Sequence, residues 1–159
     1  MTVISFLASA AVTGTVAGLG LGASPGQIRD ALGGQCIADR RKKSLRLDYG
    51  LLEFNLFEGS CETIAMQVHR LANGTEGLVP SVLSAYFQGL SRGIPFQALR
   101  DEIERDGTCL LEELQRQHGY RCYRVAKSHV NLYVVDEVAP KGEPLAPGDL
   151  WSIMISGRG

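Results

Sequence analysis

Apolar residues at the start of the chain recur at the spacing of an α-helix. Ile4, Leu7 and Ala11 predict a first helix over about residues 2–13, which ends at Gly14. The short glycine-rich stretch that follows predicts an edge strand or an extended connection.

A second helical pattern has well-marked ends. Ser24 can cap the helix, Pro25 suits its first position, and Gln27 can reach back to the Ser24 amide in a capping box. Ile28 begins an apolar stripe, and Gly33 provides the left-handed stop. This segment therefore predicts a short amphipathic helix.

Alternating apolar and polar residues then predict three strands joined by short turns that contain glycine. Their apolar positions are Leu45, Leu47, Tyr49, Leu52, Phe54, Leu56, Ile64, Met66 and Val68. Such a pattern is typical of an antiparallel meander with one buried face and one wet face.

The second part of the chain repeats this order of elements. It predicts helices over about 81–90 and 95–106, a short helix or a loop over 110–117, and strands over 120–125, 130–136 and 150–156. Between the last two strands, a long loop is indicated by Pro140, Gly142, Pro144, Pro147 and Gly148.

We therefore predict an α+β fold with two similar halves, about 1–77 and 78–159, each a helix pair packed on an antiparallel β-sheet. The apolar pattern of Ile28–Leu32 matches that of Leu99–Ile103. The predicted core consists of Ile28, Leu32, Leu47, Phe54, Ile64, Met66, Val68, Leu99, Ile103, Leu132, Val134, Trp151, Ile153 and Ile155.

The segment Leu21–Gly33 also carries a resemblance to known proteins. Its glycine, small residue, capping serine and terminal Leu-Gly resemble the helix that opens the β-lactamase-inhibitor-protein module and the related outer-membrane assembly lipoprotein module. The resemblance implies a helix pair on an antiparallel sheet. In the inhibitor family the module occurs in tandem, and its sheet surface grips a partner enzyme. The chain is also similar to small actinobacterial proteins of the immunity type, which neutralise a cognate toxin.

Composition and charge limit the possible partners. The formal net charge of -1 gives no reason to expect binding to nucleic acid or to an anionic membrane surface. The one basic cluster, Arg40–Lys43, is typical of solvent-exposed residues at the start of a strand. The apolar run Val3–Leu21 is broken by polar residues, and no Lys or Arg precedes it. We therefore expect neither a signal peptide nor a membrane span, and a cytoplasmic protein.

No familiar catalytic or metal-binding motif is present in the sequence. It has no GxSxG elbow, no phosphate-binding P-loop and no HExxH helix, so we expect a protein that is not an enzyme and has no cofactor. The cysteines Cys36, Cys61, Cys109 and Cys122 form no CxxC pair and are expected to be reduced. We expect no bound metal; a zinc site, if present, would involve His118, Cys122 and Cys109.

The wet face of the predicted sheet is the candidate binding surface. Strand alternation assigns to it Arg46, Asp48, Glu53, Asn55, Gln67, His69, Arg121, Tyr123, Tyr133 and Met154. This mixture of aromatic residues, arginines and carboxylates suits a protein partner, either a toxin or an enzyme that the chain would inhibit. Two alternatives are a self-associating structural protein and an enzyme with an unfamiliar site.

Overall fold

The fold mixes helices with a single large sheet. A computed structural model describes residues 1–90, 92–136 and 144–157. Its helices are α1 (Val3–Thr13), α2 (Pro25–Leu32) and α3 (Phe96–Glu104), with 3-10 helices over Val68–Asn73 and Ser81–Phe87. Its strands are β1 (Ile37–Arg41), β2 (Ser44–Asp48), β3 (Leu52–Phe57), β4 (Ser60–Met66), β5 (Leu111–Gln117), β6 (Tyr120–Val125), β7 (Asn131–Val135) and β8 (Leu150–Ser156).

The strands form one eight-stranded antiparallel sheet in the order β1-β2-β3-β4-β8-β7-β6-β5. Each run of four consecutive strands is a meander. The two meanders meet at the pair β4 and β8, where Ile64 lies opposite Ile155 and Met66 lies opposite Ile153. The predicted α+β class is therefore confirmed, with one sheet continuous across both parts of the chain.

The helix ends follow the capping residues that the sequence contains. The Ser24 hydroxyl accepts from the Gln27 amide at 3.1 Å, and Gln27 Oε1 accepts from the Ser24 amide at 3.0 Å. Helix α1 has the same arrangement between Thr2 and Ser5 and ends at Gly14, whose φ is 69°. These caps satisfy amide groups that a helix leaves unpaired, which explains why both helices begin where the sequence predicts.

The core lies between the helices and one face of the sheet. Of the predicted core residues, all but one are buried. The exception is Trp151, which is half-buried on the other face. Its placement follows from an irregularity in the pairing of β7 with β8 between Tyr133 and Val134, because a bulged residue leaves the simple alternation of faces.

The prediction of three strands in each half is wrong, because the described residues of 1–77 and those of 78–159 each form four strands. Strand β1 is exposed along its whole length, so no apolar alternation marks it. Strand β5 falls where the sequence left open a short helix or a loop, and it carries two partly buried leucines among exposed polar residues. Strand β4 ends at Met66, so Val68 and His69 lie in a 3-10 helix instead.

The helical layer crosses the boundary between the predicted halves. Helix α1 packs beside α3, and the Ser128 hydroxyl of the β6–β7 turn donates to the Ala11 carbonyl at 2.6 Å. Phe6 of α1 also stacks on Tyr86, with ring centroids 4.8 Å apart. The predicted helix over 81–90 is a 3-10 helix. The division into two similar halves stays a prediction.

Two further predictions concern a membrane span and the long loop. No helix among the described residues has the length and apolar character needed to cross a bilayer. The predicted loop between β7 and β8 includes Pro140 and Gly142, which lie outside the described residues.

Candidate partner-binding face of the sheet

The two faces of the sheet have different coverings. The core side chains of β2 to β8 pack with all three α-helices on one face, which we call the helix face. The opposite surface, which we call the open face, lies under none of these helices. It is formed by Arg46, Asp48, Glu53, Asn55, Thr63, Ala65, Tyr120, Cys122, Arg124, Asn131, Tyr133, Trp151, Ser152 and Met154.

Four charged side chains form a network at one end of the open face. Arg70, from the 3-10 helix after β4, lies 3.0 Å from Asp48 and 3.2 Å from Glu53. Arg46 lies 3.4 Å from Glu53 and 3.6 Å from Asp48. Arg70 also donates to the Gly50 carbonyl at 2.9 Å. The network thus joins β2, β3 and the 3-10 helix.

The arginines are the accessible part of this network. The side chains of Arg46 and Arg70 are 42% and 30% exposed, whereas those of Asp48 and Glu53 are 13% and 11% exposed. A carboxylate at such depth needs an opposite charge beside it, and two guanidinium groups meet that need here. An approaching molecule would therefore meet guanidinium groups before carboxylates.

Aromatic side chains lie where the two meanders meet. The His69 ring stacks on Trp151 with centroids 4.1 Å apart and planes 3° apart. Tyr120 lies 5.2 Å from the same indole. Tyr133 and Met154 are half-buried on the neighbouring strands β7 and β8. The middle of the open face is consequently aromatic and apolar, beside a charged end.

Most of the predicted binding residues lie on this face. Arg46, Asp48, Glu53, Asn55, Tyr133 and Met154 are there, and His69 reaches it from the 3-10 helix. Gln67 follows the end of β4, and its amide donates to the Leu51 carbonyl at 2.6 Å.

The predicted placement of Arg121 and Tyr123 on the open face is wrong. Tyr123 is 5% exposed and stacks on Phe96 of α3, with centroids 4.5 Å apart. Arg121 lies on the same helix face and pairs with Asp136 at 3.0 Å. The alternation in β6 allows either Tyr123 or Cys122 to face the helices. The larger side chain, Tyr123, fills the space beneath α3.

Three residues of the charged network and the aromatic middle are absent from the predicted binding surface. Trp151 was assigned to the core, because an apolar pattern carries no signal for the bulge that turns it outward. Arg70 is absent because the alternating pattern ends at His69, whereas a 3-10 helix over Val68–Asn73 brings Arg70 to the open face. Tyr120 is absent because the assignment of Arg121 and Tyr123 to the exposed face puts their neighbour Tyr120 on the opposite face.

The thiols and charged groups elsewhere have structural surroundings. Burial raises the pKa of Cys61 to about 11, and burial also raises the pKa of Cys122, so both thiols are held in their protonated form. No group of three His, Cys, Asp or Glu side chains within the described ranges is arranged to hold a metal. A pocket of about 390 Å³ beside α3 is lined by Arg100 and Arg121, but Glu104 and Asp136 pair with these cations.

Comparisons with protein-family models, with curated proteins and with solved structures find no match to this chain.

We expect the charged network to contribute measurably to stability. The variant Arg70→Met should lower the free energy of unfolding by about 1–3 kcal/mol, because it leaves the Glu53 carboxylate with fewer partners. In a double-mutant cycle with Glu53→Gln, urea denaturation should give a coupling energy of about 0.5–3 kcal/mol. The matched control Arg29→Met, at an exposed site, should stay within about 0.5 kcal/mol of the parent. Equal losses for Arg29→Met and Arg70→Met would contradict this account of the network.

Proposed function

We propose that this chain is a non-enzymatic protein-binding protein that docks on its partner through the open face. We further propose that the partner is a toxin or an enzyme, which docking neutralises. The observation that carries the proposal is the composition of this face. Trp151, Tyr133 and the two partly exposed arginines Arg46 and Arg70 lie together on a surface that none of the α-helices covers.

The size of the face suits a protein rather than a small molecule. Eight neighbouring strands of five to seven residues, spaced about 4.8 Å apart and rising about 3.3 Å per residue, give roughly 550–800 Å². A standard protein–protein interface buries about 800 Å² on each partner. The open face is therefore comparable in size to one side of such an interface.

The chemistry of the face indicates what the partner offers. Tryptophan, tyrosine and arginine are the residues most enriched among interface hot spots. The guanidinium groups of Arg46 and Arg70 suit carboxylates or carbonyl oxygens at one end, and Trp151 suits apolar or aromatic groups in the middle. Because the network itself contains as many carboxylates as guanidinium groups, the partner need not be strongly acidic.

The resemblance to the tandem inhibitor module supports the same proposal. In that family a sheet surface grips an enzyme, and here two meanders of four strands join into one sheet. We propose on this basis that the chain consists of two similar halves, 1–77 and 78–159. The capped α2 and the amphipathic α3, which bury Ile28, Leu32, Leu99 and Ile103 in the same pattern, support this division.

Parallel affinity capture tests the proposal. The parent chain, the open-face variant Trp151→Ala/Tyr133→Ala and the helix-face variant Arg100→Ala would be immobilised and exposed to the same cell extract. We expect a protein that the parent and Arg100→Ala retain and that the open-face variant loses, with circular dichroism showing that all three are folded. Retention lost only with Arg100→Ala, or equal retention on all three, would contradict binding through the open face.

A further inference from the structure

The sheet has two edges that no other described strand covers. Strand β1 pairs only with β2, and strand β5 pairs only with β6, in the part of the chain that the structure describes. All five residues of β1 are exposed, and most residues of β5 are exposed. A free edge offers amide and carbonyl groups to another strand, so each edge needs an explanation.

The two edges carry opposite net charge, because β1 contains Asp39, Arg40 and Arg41, whereas β5 contains Glu112, Glu113 and Arg116. Strand β1 ends with Arg40 and Arg41, and a turn of two lysines follows it. Strand β5 begins at Leu111, which Glu112 and Glu113 follow, and the residue before the strand, Leu110, is 62% exposed. Within the described residues, Arg40 and both glutamates make no ion pair, whereas Arg41 lies 3.5 Å from Asp39 of its own strand.

The hydrogen-bonding phase of β1 follows from its turn. A two-residue turn connects Arg41 to Ser44, which lie opposite each other, so this pair exchanges hydrogen bonds within the hairpin. Since hydrogen-bonded and non-bonded pairs alternate along an antiparallel ladder, Ala38 and Arg40 direct their amide and carbonyl groups to the free edge.

The phase of β5 is given by two hydrogen bonds at its start. The Ala126 amide donates to the Leu110 carbonyl at 3.0 Å, so Leu110 faces β6. The Leu111 amide instead donates to the Glu104 carboxylate at 3.2 Å, on the side away from β6. By the same alternation, Glu113 directs its amide and carbonyl groups to the free edge.

We propose that β1 of one copy of this chain pairs antiparallel with β5 of a second copy, with Arg40 opposite Glu113 and Arg41 opposite Glu112. This register joins outward-facing backbone groups at Arg40 and Glu113. It also keeps the faces of the sheet aligned, because Arg40 and Glu113 lie on the helix face, whereas Arg41 and Glu112 lie on the open face. Opposite charges directly across a strand pair stabilise the pairing, and like charges destabilise it.

Such a contact joins different edges of two identical chains. It is therefore heterologous, and a pair of copies still has one free β1 and one free β5, so growth continues into a ring or an open array. The contact uses the ends of the sheet and leaves the open face accessible. It is thus independent of the function proposed above, and either proposal can fail without the other.

Sedimentation velocity tests the inference with charge-reversed edges. We expect the parent chain to exceed its monomer mass of 17.2 kDa as its concentration rises to the millimolar range, and less so at high salt. The variants Arg40→Glu/Arg41→Glu and Glu112→Lys/Glu113→Lys should each weaken association at least about tenfold, because each makes its own two edges alike in charge.

Mixing the two variants gives the decisive result. Each mixed pair again brings a basic edge against an acidic edge, so the mixture should associate about as strongly as the parent, although each variant alone associates at least about tenfold more weakly. The control Arg29→Glu/Arg92→Glu has the same net charge as the β1 variant and should behave like the parent. A parent that stays monomeric throughout, or variants that associate like the parent, would overturn the proposal, as would a mixture that stays monomeric.

Discussion

Replacement of Phe54 by alanine is expected to lower the free energy of unfolding by about 3–5 kcal/mol. Phe54 is fully buried on the helix face of β3, where it lies opposite Leu47 on one side and Ile64 on the other. Its ring meets that of Tyr49 edge-on, with centroids 6.0 Å apart. The substitution removes apolar area and leaves a cavity in the middle of a close-packed core.

The comparison with Phe57 separates burial from residue type. Phe57 ends the same strand but is 43% exposed, so Phe57→Ala should change the free energy of unfolding by only about 0.5 kcal/mol. Urea denaturation followed by circular dichroism gives both values. If the two alanine variants lost the same stability, the assignment of the helix face as the core would be wrong.

Replacement of Gly50 by alanine should destabilise the fold by about 2–4 kcal/mol, through backbone strain and a steric clash together. Gly50 has a φ of 87°, and a Cβ atom there would lie 2.6 Å from the Leu78 carbonyl oxygen. That oxygen accepts from the Leu51 amide at 2.7 Å, so it cannot move away without loss of a hydrogen bond. The Gly50 carbonyl also accepts a hydrogen bond from Arg70, and this bond links the turn to the charged network.

Gly59 is the matched control for Gly50. Its φ is 81°, but a Cβ atom there would meet nothing within 4 Å. Gly59→Ala should therefore show the backbone cost alone, about 1–2 kcal/mol. Thermal or urea unfolding of both variants measures the difference, and a Gly50→Ala loss no larger than that of Gly59→Ala would show that the turn tolerates the extra carbon.

The sequence predicts elements well where local chemistry determines them. The capping box at Ser24 and Gln27 places α2, and strict alternation places β2 and β3 with their core residues. Strand β1 could not be found in this way, because it lies at an edge of the sheet where no side chain is buried. Its pairing depends on β2, which is a tertiary property.

The candidate site was predictable in its first half but less so in its second. The alternation of Arg46, Asp48, Glu53 and Asn55 with buried leucines and Phe54 fixes their face. In β6, Tyr120-Arg121-Cys122-Tyr123-Arg124, each set of alternate residues contains a tyrosine and an arginine, so the pattern does not show which set is buried. Packing beneath α3 decides between the phases, and a bulge decides the placement of Trp151, so neither could be read from the local pattern.

The most direct test of binding through the open face is the dissociation constant of the captured partner, measured by isothermal titration calorimetry. Trp151→Ala and Tyr133→Ala should each raise it at least about tenfold, a loss of about 1.4 kcal/mol or more in binding free energy. Arg100→Ala, on helix α3, should leave the dissociation constant unchanged. Unchanged dissociation constants for both open-face variants, together with weaker binding by Arg100→Ala, would contradict the proposal and place the binding surface on the helices.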